Sequence, residues 1–404
     1  MSCIPRLIVA LLVLALALAA CIKPAPPPPP VTPAPVPAPV LVPVAWEALP
    51  GWTQDDPRTA LDAFRESCQA LQKRAQWQAV CLAADTFRAA DADGARRFFE
   101  EHFIPNRVQK EDGGSSGLIT GYYVPDLKGS RTRSERFRWP IYGVPEDLLV
   151  VDLRSVYPEL GDYRLRGRLE GRRVVPYYSR AEIDAGKLTV GEELVWVEDP
   201  VELFFLQIQG SGRVELDDGS QVMVNYADQN GHPYRSIGKL LLDRGAMSRD
   251  QMSMQNIRAW ARKNPDQVAA LLAENPSYVF FRELPAGVTR PYGALGVQLT
   301  AERSLAVDPR SIPLGAPVFL ATTWPGGATP LNRLLVAQDT GGAIKGRVRG
   351  DFYWGIGDEA GAFAGRMKQP GRLWVLLPRP EAENGGTDAK TEKNPAAAEL
   401  PPSL

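Results

Sequence analysis

The stretch that decides the fold is residues 334–358, LLVAQDTGGAIKGRVRGDFYWGIGD. Leu334 to Ala337 form an unbroken apolar run of the kind buried on both faces of a sheet, and Asp339 stands where that strand should end. Gly341 and Gly342 then let the backbone turn tightly or approach a ligand closely. Asp351 is followed by Phe352, Tyr353 and Trp354. A carboxyl group beside aromatic rings suits a general acid, because a partly apolar setting raises its pKa and keeps it protonated near neutrality. Aromatic faces also suit sugar rings. Upstream, LAVDPRSIPLG (305–315) sets Asp308 after another short strand, just before a proline-bounded turn. On residue type alone, the commoner reading of each of the three aspartates is a turn residue, since Asp before Gly or Pro favours turns.

Working outward, most of the chain from about 117 shows the same character, short β-type runs broken by Gly and Pro. GLITGYYVP, WPIYGVP, LLVVDL, ELVWVEDP, VELFFLQIQGSGRVEL and SQVMVNYA come first; YVFFRE, PVFLATTW and RLWVLLP come later. Between them, roughly 236–274 reads as helical. A second helical region covers 57–103, where Leu61, Phe64, Cys68 and Leu71 mark one face and Phe98 and Phe99 follow. Two helical regions interrupting a mainly β chain predict β barrels or sandwiches with inserted helices. No internal repeat and no second membrane span is evident.

Residues 1–21, MSCIPRLIVALLVLALALAAC, carry Arg6 and then an apolar run from Leu7 to Ala20. That run is too short to span a bilayer, which takes about 20 apolar residues, but has the length of a signal-peptide core. It ends in Leu18-Ala19-Ala20-Cys21, which resembles a lipobox, so Cys21 is expected to be lipidated and to become the N-terminus. Plain secretory cleavage is the alternative. Ile22 occupies the place where an aspartate would signal inner-membrane retention, so the expected destination is the outer membrane, facing the periplasm. Residues 22–46 are rich in proline and should form an extended tether, and 379–404 a disordered tail. Cys3 and Cys21 belong to the signal and the anchor. That leaves Cys68 and Cys81, with twelve residues between them, either as a disulfide stapling two short helices or as two buried free thiols.

Composition excludes several classes of chemistry. Basic and acidic residues number 46 and 47, which argues against a nucleic-acid partner held by charge. The only histidines are His102 and His232, one in an amphipathic stretch and one in a polar turn. A histidine-based zinc site is nearly excluded, as is a Ser-His-Asp triad unless one of these two serves it. Chemistry must then run on carboxylates, hydroxyls or amides, with no metal or organic cofactor implied.

The pattern LAVDP…IPLG…AQDTGGAIKG…GDFYWGIG resembles the 3D domain, named for its three aspartates, of murein-cleaving proteins. The segments GLITGYYVP, FFLQIQGSGRV, YADQNGHPYRSIGKLL, NPSYVFFRE and GALGVQLTAERSLAVDP resemble, in order, the membrane-bound lytic murein transglycosylase A family. The resemblance covers most of the chain from about 50 to 378. It implies a double-psi β-barrel built from a helical N-terminal part (47–116) and a C-terminal part (291–378). A second, β-barrel-like domain (117–290) would be inserted between them, with a glycan groove between the two domains. Asp351 matches the family's catalytic aspartate, and Asp339 and Asp308 match its motif partners, the former assisting and the latter structural. Thr120, Gly121 and Tyr122 match the strand at the groove, and Gln207, Gln209, Gly210 and Ser211 the groove-facing block of the insert. Tyr122, Tyr123 and Trp354 could stack on sugar rings, with core packing as the other reading. One departure is local: Arg347-Val348-Arg349-Gly350 precedes Asp351 where some relatives end in His-Phe-Asp.

The activity so implied is cleavage of the β-1,4 bond between N-acetylmuramic acid and N-acetylglucosamine in peptidoglycan, leaving 1,6-anhydro ends. Two readings compete: a muramidase in the same groove with Asp339 as base, and a glycan-binding lipoprotein that does not cut. The expected partners are glycan strands and, through Cys21, the membrane. A monomer is expected, with recruitment by other cell-wall proteins left open.

Overall fold

The computed structural model describes residues 40–188 and 193–380. The signal-type segment, Cys21, residues 22–39 of the Pro-rich stretch and the tail from 381 onward lie outside the described residues. The tether was expected to run through residue 46, but strand β1 (Leu41–Pro43) already pairs antiparallel with β2 (Phe103–Val108). Trp46 then packs its ring 4.7 Å from that of Trp52.

Among the described residues, seventeen strands run in chain order. After β1 and β2 come β3 (Gly117–Val124), β4 (Asp126–Ser130), β5 (Trp139–Tyr142), β6 (Leu149–Val150), β7 (Arg166–Glu170) and β8 (Arg173–Pro176). Next are β9 (Glu193–Val197), β10 (Ser211–Leu216), β11 (Gln221–Gln229) and β12 (Val279–Glu283). The last five are β13 (Ser304–Val307), β14 (Pro317–Thr323), β15 (Pro330–Asp339), β16 (Arg349–Ile356) and β17 (Lys368–Pro378). The first sheet has the order β1-β2-β17-β14-β15-β13-β16-β3, and a further β17–β3 pairing closes β17, β14, β15, β13, β16 and β3 into a ring. Two of its pairings, β13 with β15 and β16 with β3, are parallel.

The apolar run at Leu334–Ala337 is buried because barrel interior and helices cover its two faces. Leu61, Phe64, Cys68 and Leu71, the face predicted for the first helix (Arg58–Leu71), belong to the same core, together with Phe98 and Phe99. Cys68 and Cys81 are joined in a disulfide, Cα atoms 5.4 Å apart, linking that helix to the next, Ala75–Thr86. Closing a loop of this length restricts the unfolded chain by about 3 kcal/mol. Reduction with dithiothreitol is therefore expected to lower the melting temperature; an unchanged melt would contradict the bond.

The second sheet, β12-β11-β10-β4-β9-β5, carries the inserted part, with a small third sheet, β6-β7-β8. The stretch placed as the insert begins with β3, which pairs within the first sheet, and the chain crosses to the second sheet at Pro125. The second sheet's end strands β12 and β5 lie against each other, with no ladder between them among the described residues. VELFFLQIQ was read as a strand and is a helix, Pro200–Gln209. Asp199 accepts from the amides of Val201 and Glu202, Pro200 occupies the first turn and Gly210 caps the end at φ 79°. The run is apolar all round because its faces contact two cores, Phe204 and Phe205 in one, Leu203 and Leu206 in the other. Where the chain passes between the first and second sheets, Val124, Met223, Leu284, Leu299 and Tyr353 form a joint apolar cluster.

Candidate active site

Strand register brings the motif aspartates together. Ala306 on β13 pairs with Asp339 on one side and with Asp351 on the other. Neighbouring strands lie about 4.8 Å apart, so the two aspartate backbones flank Ala306 at roughly 10 Å from each other. On its far side Asp351 pairs with Thr120 of β3. The Thr120 hydroxyl donates to Asp351 Oδ1 at 2.5 Å, and the Tyr122 hydroxyl, two residues on along the same face, donates to Asp339 Oδ2 at 3.1 Å. Asp339 Oδ1 accepts from the amides of Ala294 (2.9 Å) and Thr340 (2.8 Å). Both Asp339 oxygens are thus occupied, whereas among the described residues no hydrogen bond reaches Asp351 Oδ2.

The electrostatics separate the three carboxyls. Burial pushes Asp351 up to about 6, against the pull of the Thr120 hydrogen bond and the Arg349 charge, with the charge of Asp339 adding to the rise. Burial also raises Asp339, opposed by its two amide donors and Tyr122. Asp308 goes the other way, to about 2, chiefly through the guanidinium of Arg310, which grips both its oxygens at 3.0 and 2.9 Å. It also accepts from the Gly346 amide at 2.8 Å and is 2% exposed, so it ties down the loop leading to β16.

The other predicted residues divide. Tyr122 lies against Tyr353, ring centroids 5.1 Å apart and planes tilted by 36°, next to Asp339. Trp354, expected to offer a face to sugar, is instead 5% exposed in the barrel core, stacked on Phe363 and donating to Met367 Sδ. Gly121 serves that packing: a Cβ there would stand 2.6 Å from Trp354 Nε1 and 3.0 Å from Ala364 Cα. Gly121→Ala is expected to cost about 1–3 kcal/mol by overpacking, measured by urea unfolding. A loss under about 0.5 kcal/mol would mean that the tryptophan simply moves aside.

Gln207, expected at the groove, is buried at 6% exposure and its carboxamide oxygen accepts from Arg180. A helix turns by 100° per residue, so Gln207 and Gln209 cannot share a face; Gln209 instead accepts from the amide of Tyr123 at 3.2 Å. Tyr123, also considered as a stacking ring, is buried with its hydroxyl on Arg258. Gly210 is the helix cap, and Ser211 donates to Asn225 Oδ1 at 3.0 Å. His102 packs on Phe98 and His232 on the Tyr177 carbonyl, both away from the aspartates' hydrogen-bond partners.

Sequence reading missed Ala306, Asn225, Arg349 and the 291–296 crossing. Asn225, buried on β11, brackets Tyr292 with two hydrogen bonds to its backbone, 3.0 and 3.1 Å. Two residues later Ala294 donates to Asp339, so the second sheet helps hold a carboxylate of the first. A polar residue inside the strand SQVMVNYA was the available signal.

Residues 118–282 match the family model for the MltA specific insert domain and residues 303–377 that for the 3D domain. Membrane-bound lytic murein transglycosylase A of Escherichia coli (strain K12) is 39% identical over 285 residues, 69% of this chain and 70% of that protein. The crystal structure of MltA from Neisseria gonorrhoeae in its monoclinic form is 42% identical, with a TM-score of 0.75, over 86% of this chain and 98% of that one. E. coli MltA with bound chitohexaose superposes with a TM-score of 0.62 at 30% identity, covering 86% and 94%. With its aspartates paired across one small alanine and the matches spanning both parts of the fold, the chain belongs to the membrane-bound lytic murein transglycosylase A family.

Proposed function

We propose that this protein is a peptidoglycan lytic transglycosylase in which Asp351 is the single acid/base. The observation that carries the reading is the asymmetry of the two carboxyls: Asp351 sits near 6 with Oδ2 unbonded, while both oxygens of Asp339 are occupied by donors. A carboxyl at that value is protonated often enough near neutrality to act as an acid, and readily ionised afterwards. Asp351 gives its proton to the glycosidic oxygen as the bond from C1 of N-acetylmuramic acid to N-acetylglucosamine breaks. The 6-hydroxyl of the same muramoyl residue attacks C1, and its proton returns to Asp351. The attack is intramolecular, so proximity replaces the second catalytic carboxylate that a hydrolase requires. Asp339 adds a minor rise to the pKa that burial gives its neighbour, and it positions Tyr122. The bound chitohexaose of the E. coli relative supports a β-1,4-linked glycan as substrate.

The muramidase reading would need Asp339 as a free base, and its three hydrogen bonds disfavour that role. The closed six-strand ring with two parallel pairings supports a double-psi barrel, with the glycan groove at the junction with the insert. Ser211 and Tyr122 would contact sugar there. The lipobox-like segment at Cys21, followed by Ile22, supports an outer-membrane lipoprotein acting in the periplasm. The test is digestion of purified sacculi followed by mass spectrometry of the muropeptides. Products one water lighter than those of a hydrolase are expected. Full-mass reducing ends would establish a muramidase, and binding without release a non-catalytic protein.

A further inference from the structure

Thr120 is held between two groups that fix the direction of its hydroxyl. Arg349 Nη2 donates to Thr120 Oγ1 at 2.8 Å, while Nη1 of the same guanidinium is tied to the carbonyls of Leu118 (3.3 Å) and Gly350 (2.5 Å). A guanidinium only donates, so the threonine oxygen must accept on that side. Its one proton is then directed to its other neighbour, Asp351 Oδ1. Because Oδ1 accepts, the proton of neutral Asp351 resides on Oδ2.

We propose that Arg349 and Thr120 form a donor relay that assigns the transferable proton of Asp351 to Oδ2 and steadies the carboxylate left when that proton departs. The inference rests on Asp351 being the acid/base. Arg349 is then a positioning residue, acting through Thr120 rather than on the glycan. The relay also gives a use to the local departure Arg347-Val348-Arg349-Gly350, where the sequence differs from the His-Phe-Asp ending of some relatives.

Between the two half-reactions Asp351 is an anion in a partly buried place, where a nearby cation counts for more than it would in water. The groups around it are few. β3 presents Thr120 and Tyr122, β15 presents Asp339, and β13 opposes it with the methyl of Ala306. Its own strand carries Arg349 and Tyr353, and Lys368 of β17 lies beyond Thr120. Arg349 and Thr120 favour the ionised form and Asp339 opposes it. Removing the relay therefore raises the pKa further, and the limb of the pH profile where activity falls as Asp351 ionises moves to higher pH.

The test is the pH dependence of 1,6-anhydromuropeptide release from sacculi by the full chain in detergent. Arg349→Gln, Arg349→Lys, Thr120→Val and Thr120→Ser are compared with wild type, each checked by a thermal melt. Arg349→Gln and Thr120→Val are expected to move the falling limb upward by about one pH unit and to lower kcat roughly tenfold with KM little changed. Arg349→Lys and Thr120→Ser, which keep the cation or the hydroxyl, should restore the wild-type limb. A limb that stays put in both Arg349→Gln and Thr120→Val overturns the relay, whatever happens to the rate. If Arg349→Gln does not fold, the Thr120 pair decides alone. Absence of anhydro products from the wild type would overturn the acid/base reading itself, and the relay with it.

Discussion

Asp351→Asn is expected to abolish anhydromuropeptide release from sacculi while leaving the protein folded. General acid/base help is typically worth about 10²–10⁴-fold, and here one group serves both halves of the reaction, so no second carboxyl covers the loss. Asparagine is nearly isosteric, and its carboxamide oxygen can accept the Thr120 hydroxyl that now reaches Asp351 Oδ1. Stability should move the other way from activity. The folded-state pKa of Asp351 is raised to about 6, above its unfolded value, so in that window the native state binds a proton that the unfolded chain releases. Wild-type stability therefore falls as pH rises from the ordinary carboxylate range through about 6. Asparagine carries no charge to bury, so the variant should melt no lower than wild type at pH 7, with any advantage vanishing at about pH 4. The wild type's own activity should decline as pH rises through about 6, where the acid form is lost. Muropeptide mass spectrometry and paired melts check all three. Anhydro products from Asp351→Asn at more than about a tenth of the wild-type rate would transfer the acid/base role to another group.

The carboxyls illustrate what can be read from residues in line and what cannot. The apolar run before Asp339 and the aromatic run after Asp351 announced a sheet with acids on it. Which acid does what depends on register, and register is non-local: only the pairing of Ala306 with both aspartates shows that they flank one small side chain. Asp308 was the easier case, because its partner Arg310 is two residues away. Trp354 could have been placed correctly from the period of two along a strand. Asp351 and Tyr353 share one face of β16, as the Tyr353–Tyr122 ring contact shows, which leaves Phe352 and Trp354 to the core. The helix Pro200–Gln209 was missed because a short run that is apolar all round has no face, so periodicity cannot tell it from a buried strand. Its Asp199-Pro200 start and Gly210 stop were visible, and capping was the better guide. The same turn of helix explains why Gln207 and Gln209, adjacent in a strand-based reading, part company.

The largest stability effect is expected from a pair no local reading could find. Asp55, just before the first helix, meets Arg303, just before β13, and both are buried. Arg303 Nη1 and Nη2 grip the two carboxylate oxygens at 2.9 and 3.0 Å, and Asp55 Oδ2 also accepts from the Leu334 amide at 2.7 Å. Arg303 further donates to the carbonyls of Leu334 and Asp56, at 2.8 and 2.7 Å. The pair thus staples the N-terminal segment to β15 and to the start of β13, the two strands that set Asp339 beside Ala306. Exposed pairs such as Arg58–Asp56 contribute at most about 1 kcal/mol. Removing one member of a buried pair leaves the other charge without compensation, at a cost of about 3–5 kcal/mol. Asp55→Ala should therefore lower the urea midpoint by far more than Asp56→Ala. The double variant Asp55→Ala/Arg303→Met should recover part of the loss, since it removes the stranded cation as well as its partner. A cost below about 1 kcal/mol for Asp55→Ala would mean that water reaches Arg303 once the carboxylate is gone. No recovery in the double variant would assign the loss to the Leu334 amide and the packing around it rather than to charge. Because Ser304, next to Arg303, donates to Gln338, next to Asp339, the loosened variant should also lose activity before it unfolds.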